Sequence, residues 1–494
     1  MVIKEEEGKA LLEDLGPKSS PSDGDRREQN NAPLSTEIDT TPTVHEGRAT
    51  LSLGLVICVA VIIVVAVYII GGGLEGASDV LASTVQTQNW GTARVRQKLE
   101  KPVLIVISSD GFRWGYNYKV PTPNIERLRV NGTEAESGLI PVYPSLTFPN
   151  HYSIATGLYP AWHGIIENHF SDPYDPLAEP FYQGNLNPKW WLGEPIWVTV
   201  TKSGLQAATY FWPGSEVKKD PWTCPPKFCM AYNQSVPYEQ RVDEVLTYFH
   251  LPAEEMPSYM SLYFESPDEE GHLVGPDAPE ISQAVSRIDS LIGRLITGLE
   301  ERGVFEDVTI ILLGDHGMVA NCDAKVIYVE DFKPWVEIDS QWIDNTGAIF
   351  ALRPPPDVDV GNMYTKLKEA LSSGKVQNSE FLDLYLKEDL PERFLYSSSD
   401  RVQPIIGIPA EGFKVVYERL STSQCGGAHG YDNSLLSMRT IFIAHGPEFA
   451  RGRKVPSFIN VELYNVFTTI LGLQDPAANN GSSLFASSLL LPSP

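Results

Sequence analysis

Three short segments of the chain place an aspartate near or beside a histidine in a glycine-bearing turn. They are Glu265-Ser266-Pro267-Asp268-Glu269-Glu270-Gly271-His272, Gly314-Asp315-His316-Gly317-Met318 and Gly426-Gly427-Ala428-His429-Gly430-Tyr431-Asp432-Asn433. A fourth, Ser108-Ser109-Asp110-Gly111, carries an aspartate alone. Singly each has an ordinary explanation: an aspartate after a strand is most often a turn or cap residue, and a lone histidine is more often hydrogen-bonded than ligating. Jointly, Asp110, Asp268, Asp315, His272, His316 and His429 supply carboxylates and imidazoles in equal number. Mixed oxygen and nitrogen donors suit zinc, whereas Mg²⁺ and Ca²⁺ favour oxygen alone. Six donors exceed the needs of one tetrahedral ion and suffice for two, given one more oxygen. Two ions about 3.5–4 Å apart form a clamp for in-line displacement at phosphorus.

The candidate extra oxygen is Thr147, in Pro144-Ser145-Leu146-Thr147-Phe148-Pro149-Asn150-His151-Tyr152. Pro149 suits the first turn of a helix. Thr147 then falls at a helix N-terminus, where free N–H groups and the dipole favour anions. A threonine hydroxyl is a poor nucleophile at neutral pH, and metal coordination activates it. Of the other histidines, His45 lies in a polar leading segment, and His151, His163, His169, His250 and His445 read as structural.

Elements that would bring these groups together are visible in the apolar pattern. Val103 to Ile107 and Thr309 to Leu313 are short, β-branched runs that read as strands buried on both faces. Tyr259 to Phe264 and Thr440 to Ala444 are further candidates. Between Pro279 and Gly303, Ile281, Val285, Ile288, Ile292, Leu295 and Leu299 recur at steps of four and three, predicting an amphipathic helix. Strand, helix and strand over 259–313 predict a right-handed crossover in a mainly parallel sheet. Ligands of such sheets bind outside the carboxyl ends of the strands, where Asp110, Asp268 and Asp315 would lie. The stretches 171–195 and 212–230, rich in proline and aromatics, read as inserted loops.

The chain has 494 residues with 38 Lys and Arg against 63 Asp and Glu, a formal charge of -25. That argues against a nucleic-acid partner, whose affinity rests on cationic neutralisation of phosphates. Residues 1–50 are too polar to offset chain entropy and predict a disordered tail. Leu51 to Ile70 are uncharged and mostly aliphatic, long enough for one transmembrane helix. Arg48 before this span, and no Lys or Arg over 71–90, place the tail in the cytosol and the rest outside it. The expected protein is a single-pass type II membrane protein, its catalytic domain lumenal or extracellular. Residues 71–98 read as a stalk, and 99–494 as one catalytic domain. Sequons at Asn131, Asn233 and Asn480 all follow the span. Beyond Cys58 in the span, four cysteines remain. Cys224 and Cys229 could pair locally and Cys322 and Cys425 over a long range, or all four could be free thiols in a reducing compartment; disulfides are the favoured reading.

The strings SSDGFRWGY, YPSLTFPNHYSIATGLYPAWHGIIEN, GEPIWVT, ATYFWPGSE, YNQSVPYEQR, ESPDEEGHLVGP, GDHGM and GGAHGYDN run in order from about 101 to 490. The chain resembles the nucleotide pyrophosphatase/phosphodiesterase family of the alkaline phosphatase superfamily, with the plant-type members looking most similar. The resemblance implies an α/β, alkaline-phosphatase-like domain holding two zinc ions. Asp268, His272 and His429 match the ligands of one ion. Asp110, Asp315 and His316 match those of the other, with Thr147 bound there as nucleophile. Asn168 matches the side chain that holds a phosphoryl oxygen together with the Thr147 backbone N–H. Phe148 and Tyr232 match an aromatic pair that stacks a nucleotide base. The surroundings of Cys322 and Cys425 match a family disulfide. Leu192 departs from the pattern, standing where some nucleotide-cleaving relatives carry lysine.

The implied reaction is hydrolysis of nucleotide phosphodiester and pyrophosphate bonds, in nucleotide sugars, nucleoside triphosphates and dinucleotides. It passes through a covalent nucleotidyl-threonine and yields nucleoside 5′-monophosphates. Two rivals remain: a choline phosphodiesterase or lysophospholipase of the same scaffold, and a catalytically dead membrane ectodomain. The second is disfavoured because all seven expected positions are filled.

Overall fold

The computed structural model describes residues 90–175, 178–419 and 425–494. The tail, the apolar segment 51–70 and most of the expected stalk lie outside these residues. Among the described residues no helix is long and apolar enough to cross a membrane. The described part belongs to one unit, Asn89–Pro494.

Ten strands bear on the site: β1 (Val103–Ser109), β2 (Thr133–Ala135), β3 (Ala207–Tyr210), β4 (Cys229–Met230), β5 (Tyr259–Phe264), β6 (Val308–Leu313), β7 (Val319–Asn321), β8 (Gly426–Ala428), β9 (Phe442–His445) and β10 (Arg453–Val455). Eight of them form the central sheet, in the order β10-β2-β9-β6-β1-β5-β3-β4. β1 runs parallel to both β5 and β6, and β3 parallel to β5 and β4. β9 is antiparallel to both of its neighbours. The fold is thus the mainly parallel α/β sheet that the apolar runs predicted. β1 is buried at every position. Leu104 and Val106 enter one apolar core and Val103, Ile105 and Ile107 the other, which is why the run shows no polar alternation.

Three helices matter here: α1 (Thr147–Thr156), α2 (Asp268–Val274) and α3 (Pro279–Glu301). All six apolar positions predicted for α3 are buried. At roughly 1.5–3 kcal/mol for each fully buried aliphatic side chain, that face fixes α3 against the sheet. Gly303 follows with φ of 66°, where a side chain would strain the stop.

A second, smaller antiparallel sheet has the order 343–345, 350–352, 405–409, 382–386. It packs with the helix Val360–Ser372 around its own apolar core. The sequence pattern did not predict this sheet. Two of its strands have three residues each, too short to show a period. Of the predicted loops, 171–195 contains a strand paired with His169–Phe170, and 212–230 contains β4 at its end.

Residues 90–98, the end of the expected stalk segment, lie against the domain. Ala93 N–H bonds Pro492 O and Arg94 N–H bonds Pro447 O. Just beyond, the Asp307 carboxylate, immediately before β6, accepts the N–H groups of Gln97, Lys98 and Leu99. Disulfides join Cys224 to Cys229 and Cys322 to Cys425. The second closes one end of the β7–β8 pair, whose register is Gly426 on Asn321.

Candidate metal centre

β1, β5 and β6 end side by side, and their exits carry the aspartates. Asp110 follows β1, Asp268 opens α2 after β5, and Asp315 lies two residues past β6. Gly111 holds φ of 63°, and a Cβ there would stand 2.8 Å from Asp268 Cβ. Glycine is what lets the first exit approach α2, and Asp268 N–H bonds Asp110 O at 3.1 Å. The Gly111 N–H in turn donates to Asp315 Oδ1 at 3.0 Å.

The imidazoles arrive oriented. His272 Nδ1 lies 3.0 Å from Gly427 O, His316 Nδ1 2.9 Å from Gly317 O, and His429 Nδ1 2.9 Å from Ser145 O. A carbonyl only accepts, so each Nδ1 carries the proton and each Nε2 presents a lone pair. Those lone pairs converge: the Nε2 atoms of His272 and His429 are 3.1 Å apart. The rings of His316 and His429 stack at 3.4 Å. His272 Nε2 is 3.4 Å from Asp268 Oδ2, and His429 Nε2 is 3.5 Å from Asp268 Oδ1. His316 Nε2 is 3.3 Å from Asp110 Oδ1 and 3.1 Å from Asp315 Oδ2.

Three buried carboxylate oxygens, Asp110 Oδ1, Asp268 Oδ1 and Asp315 Oδ2, have no hydrogen-bond partner. Buried acceptors facing inward-pointing lone pairs are costly unless a cation lies among them. The donor set therefore fits a metal, and three-residue groups with compact donor geometry occur at Asp268/His272/His429 and at Asp110/Asp268/His316. A third compact group joins Asp110 and Asp315 to His151, not to His316. Burial, with Asp315 and Asp268 as neighbouring charges, raises the Asp110 carboxyl far above its ordinary range. Burial and Asp315 do the same to Asp268. Burial would also raise Asp315, but His316 and His151 hold it well below the usual carboxylate range. Burial lowers His272, His316 and His429, keeping them neutral as ligation requires.

Thr147 is the first residue of α1, following the extended Leu146, and its Oγ1 lies 3.2 Å from His316 Nε2. The helix N-terminus predicted from Pro149 is where the hydroxyl meets the cluster. Asn168 Oδ1 accepts the Phe148 N–H at 3.0 Å, which turns the amide N–H groups toward other acceptors. A cavity of about 290 Å³ opens beside Thr147, Asp110 and Asp268. Phe148 and the half-exposed Tyr232 line it, with Trp191, Phe211 and Trp212. Glu216, Glu265 and Glu269 also line it, and none of its described lining residues is a lysine or arginine. Leu192 does not line it and is 45% exposed.

Several groups at the site were not singled out in the sequence. Tyr263, on β5, donates to Asp110 Oδ2 at 2.5 Å. Alternation along the strand puts Tyr263 and Phe264 on opposite faces without saying which face meets the cluster. Trp212 follows β3 in a string that carried the resemblance. His151, read as structural, lies one helical turn after Thr147.

Fold and cluster define an α/β protein of alkaline-phosphatase-like architecture with a candidate metal centre at the carboxyl ends of its central strands. A family model described as type I phosphodiesterase/nucleotide pyrophosphatase matches residues 104–432, and the chain belongs to that family. It is 39% identical over 393 residues to venom phosphodiesterase 2 of Crotalus adamanteus, covering 78% of this chain and 47% of that protein. Ectonucleotide pyrophosphatase/phosphodiesterase family member 1 of Mus musculus is 37% identical over 398 residues, with 78% and 42% covered. The chain thus spans about half the length of the curated relatives it matches. The solved structure of murine ectonucleotide pyrophosphatase/phosphodiesterase 5 superposes with a TM-score of 0.70 at 32% identity, covering 78% of this chain and 100% of that one. An inactive threonine-to-alanine variant of that murine protein has been solved with AMP.

Proposed function

We propose that the protein is a two-zinc phosphodiesterase that hydrolyses nucleotide phosphodiester and pyrophosphate bonds to nucleoside 5′-monophosphates. The observation that carries this reading is the convergence of Asp110, Asp268, His272, Asp315, His316 and His429, with the Thr147 hydroxyl 3.2 Å from His316 Nε2. Asp268, His272 and His429 would hold one zinc, and Asp110, Asp315 and His316 the other with Thr147. When bound, the ions neutralise charge on the phosphoryl oxygens and lower the pKa of coordinated hydroxyls. Thr147 Oγ1 forms a bond to phosphorus as the bond to the leaving oxygen breaks in line, giving a nucleotidyl-threonine. Water then adds to the same phosphorus and Thr147 leaves, regaining its proton. The Asn168 amide and the Thr147 N–H bind an equatorial oxygen as preorganised dipoles. Phe148 and Tyr232 take the base between them; such stacking contributes about 1–3 kcal/mol per base and tolerates any base.

One observation favours a second reading. Aromatic rings with three glutamates and no lining cation also suit a quaternary ammonium, as in a choline phosphodiester. Chromogenic nucleotide and phosphorylcholine esters, each assayed with and without chelator, decide between them. A kcat/KM at least 10-fold higher for the nucleotide ester supports the first reading, and the reverse order replaces it.

The apolar span 51–70 and the two disulfides support a single-pass anchor with this domain in an oxidising compartment. The sequons differ in accessibility. Asn233 is exposed, whereas the Asn131 amide donates to Arg127 O and the Thr133 hydroxyl is buried in β2. Glycopeptide mass spectrometry is expected to find Asn233 occupied to a greater extent than Asn131. Equal occupancy would show that accessibility in the fold does not govern modification here.

A further inference from the structure

His151 is assigned to neither proposed zinc set, although it forms a compact group with Asp110 and Asp315, and it is fully buried beside them. Its Nδ1 lies 2.9 Å from the carbonyl oxygen of Thr147 and 3.3 Å from Asp315 Oδ2. Its Nε2 lies 2.8 Å from Ser108 Oγ on β1. Both neighbours of Nδ1 are pure acceptors, so Nδ1 carries the proton. The Nε2 lone pair is then taken by the Ser108 hydroxyl. No lone pair of this imidazole is left for a cation, although its ring belongs to a compact group with Asp110 and Asp315. The backbone of the same residue is also engaged: Trp212 Nε1 donates to His151 O at 3.1 Å, and Trp212 lines the substrate cavity. The Trp212 and Tyr263 rings close the site edge-on at 5.1 and 5.2 Å.

We propose that His151 is the positioning residue of the nucleophile: it ties the first turn of α1 to β1 and to the cavity wall, with the Asp315 carboxylate beside it. Thr147 is thereby held with its hydroxyl beside His316. A helix turn fixed only by its own backbone bonds would fray at this end, because the first N–H groups of a helix have no partner within it. This inference rests on reading the cluster as a metal-dependent phosphotransfer centre. It assigns His151 the proton on Nδ1 and assigns it no bond to metal.

The test compares His151→Asn, His151→Gln and His151→Ala with the unaltered protein, using a nucleotide ester and zinc titration. An asparagine amide reaches toward the position of Nδ1–H, a glutamine amide toward that of Nε2. The expected kcat order is Asn above Gln and Ala. His151→Ala should lose about 10- to 100-fold in kcat, with KM within about two-fold and full zinc stoichiometry at saturating metal. Loss of one zinc equivalent in both the Ala and the Asn variant would make His151 a ligand and overturn the proposal. A kcat for His151→Ala within two-fold of the unaltered protein would also overturn it. Should His151→Ala fail to fold, Ser108→Ala decides: a several-fold lower kcat at constant KM supports the tie, and no change refutes it. If the unaltered protein neither binds zinc nor cleaves the ester, the metal-centre reading itself fails, which is a different result from variants that match an active parent.

Discussion

Thr147→Ala is expected to abolish turnover while leaving fold and metal content unchanged. In the proposed mechanism this hydroxyl bonds phosphorus, and it lies 3.2 Å from His316 Nε2 at the head of α1. Removing a nucleophile that acts as part of a unit costs on the order of 10³-fold or more in kcat, far beyond what a lost contact explains. The methyl replacement leaves the carboxylates, the imidazoles and the Phe148 N–H to Asn168 bond in place. Nucleotide binding by calorimetry and zinc by elemental analysis should therefore match the unaltered protein. Residual activity above about a tenth would show that water attacks directly, and Thr147 would lose its assigned role.

Metal removal is expected to have the second largest effect, on activity and on stability together. A ligand present at about 1,000 times its dissociation constant stabilises the native state by about 4 kcal/mol. Dialysis against a chelator should lower Tm by several degrees and remove activity, and added zinc should restore both. The pH dependence has a definite sign. Burial raises the Asp110 and Asp268 carboxyls above their unfolded values. In the metal-free protein their contribution is present at low pH and is lost as pH rises through the raised values, because ionising them underground costs more than in water. A cation reverses this, since it binds only the ionised carboxylates. Metal binding should therefore release protons and tighten as pH rises. Calorimetry in two buffers of different ionisation enthalpy measures that release; no difference between the buffers would contradict the raised carboxyls.

What the sequence disclosed depended on whether a feature was local. The strand Tyr259–Phe264 and the buried face of α3 follow from runs and periods within a few turns of chain. The helix-terminal position of Thr147 followed from Pro149, and the candidate donors were picked out by residue type and turn context. The smaller sheet was not visible, because its pairing of 350–352 with 405–409 joins short segments far apart in sequence. The carbonyls of Gly427 and Ser145, which fix two of the imidazoles, were equally hidden, since any residue can supply a carbonyl. His151, read from the sequence as structural, is buried and hydrogen-bonded as that reading expects. Its spacing of four from Thr147 already put both on one helical face, but only the structure shows Ser108 and Asp315 waiting there.

The Asp307 carboxylate catches Gln97, Lys98 and Leu99 immediately before β6, while Asp315 follows the far end of the same strand. Six residues at about 3.3 Å each separate the two ends by roughly 20 Å. Residues 97–99 are thus held at the opposite end of β6 from the candidate metal cluster. A bulky graft at Gln234 or Glu269, which line the cavity, would therefore obstruct it directly, whereas the 97–99 contact lies at the other end of that strand.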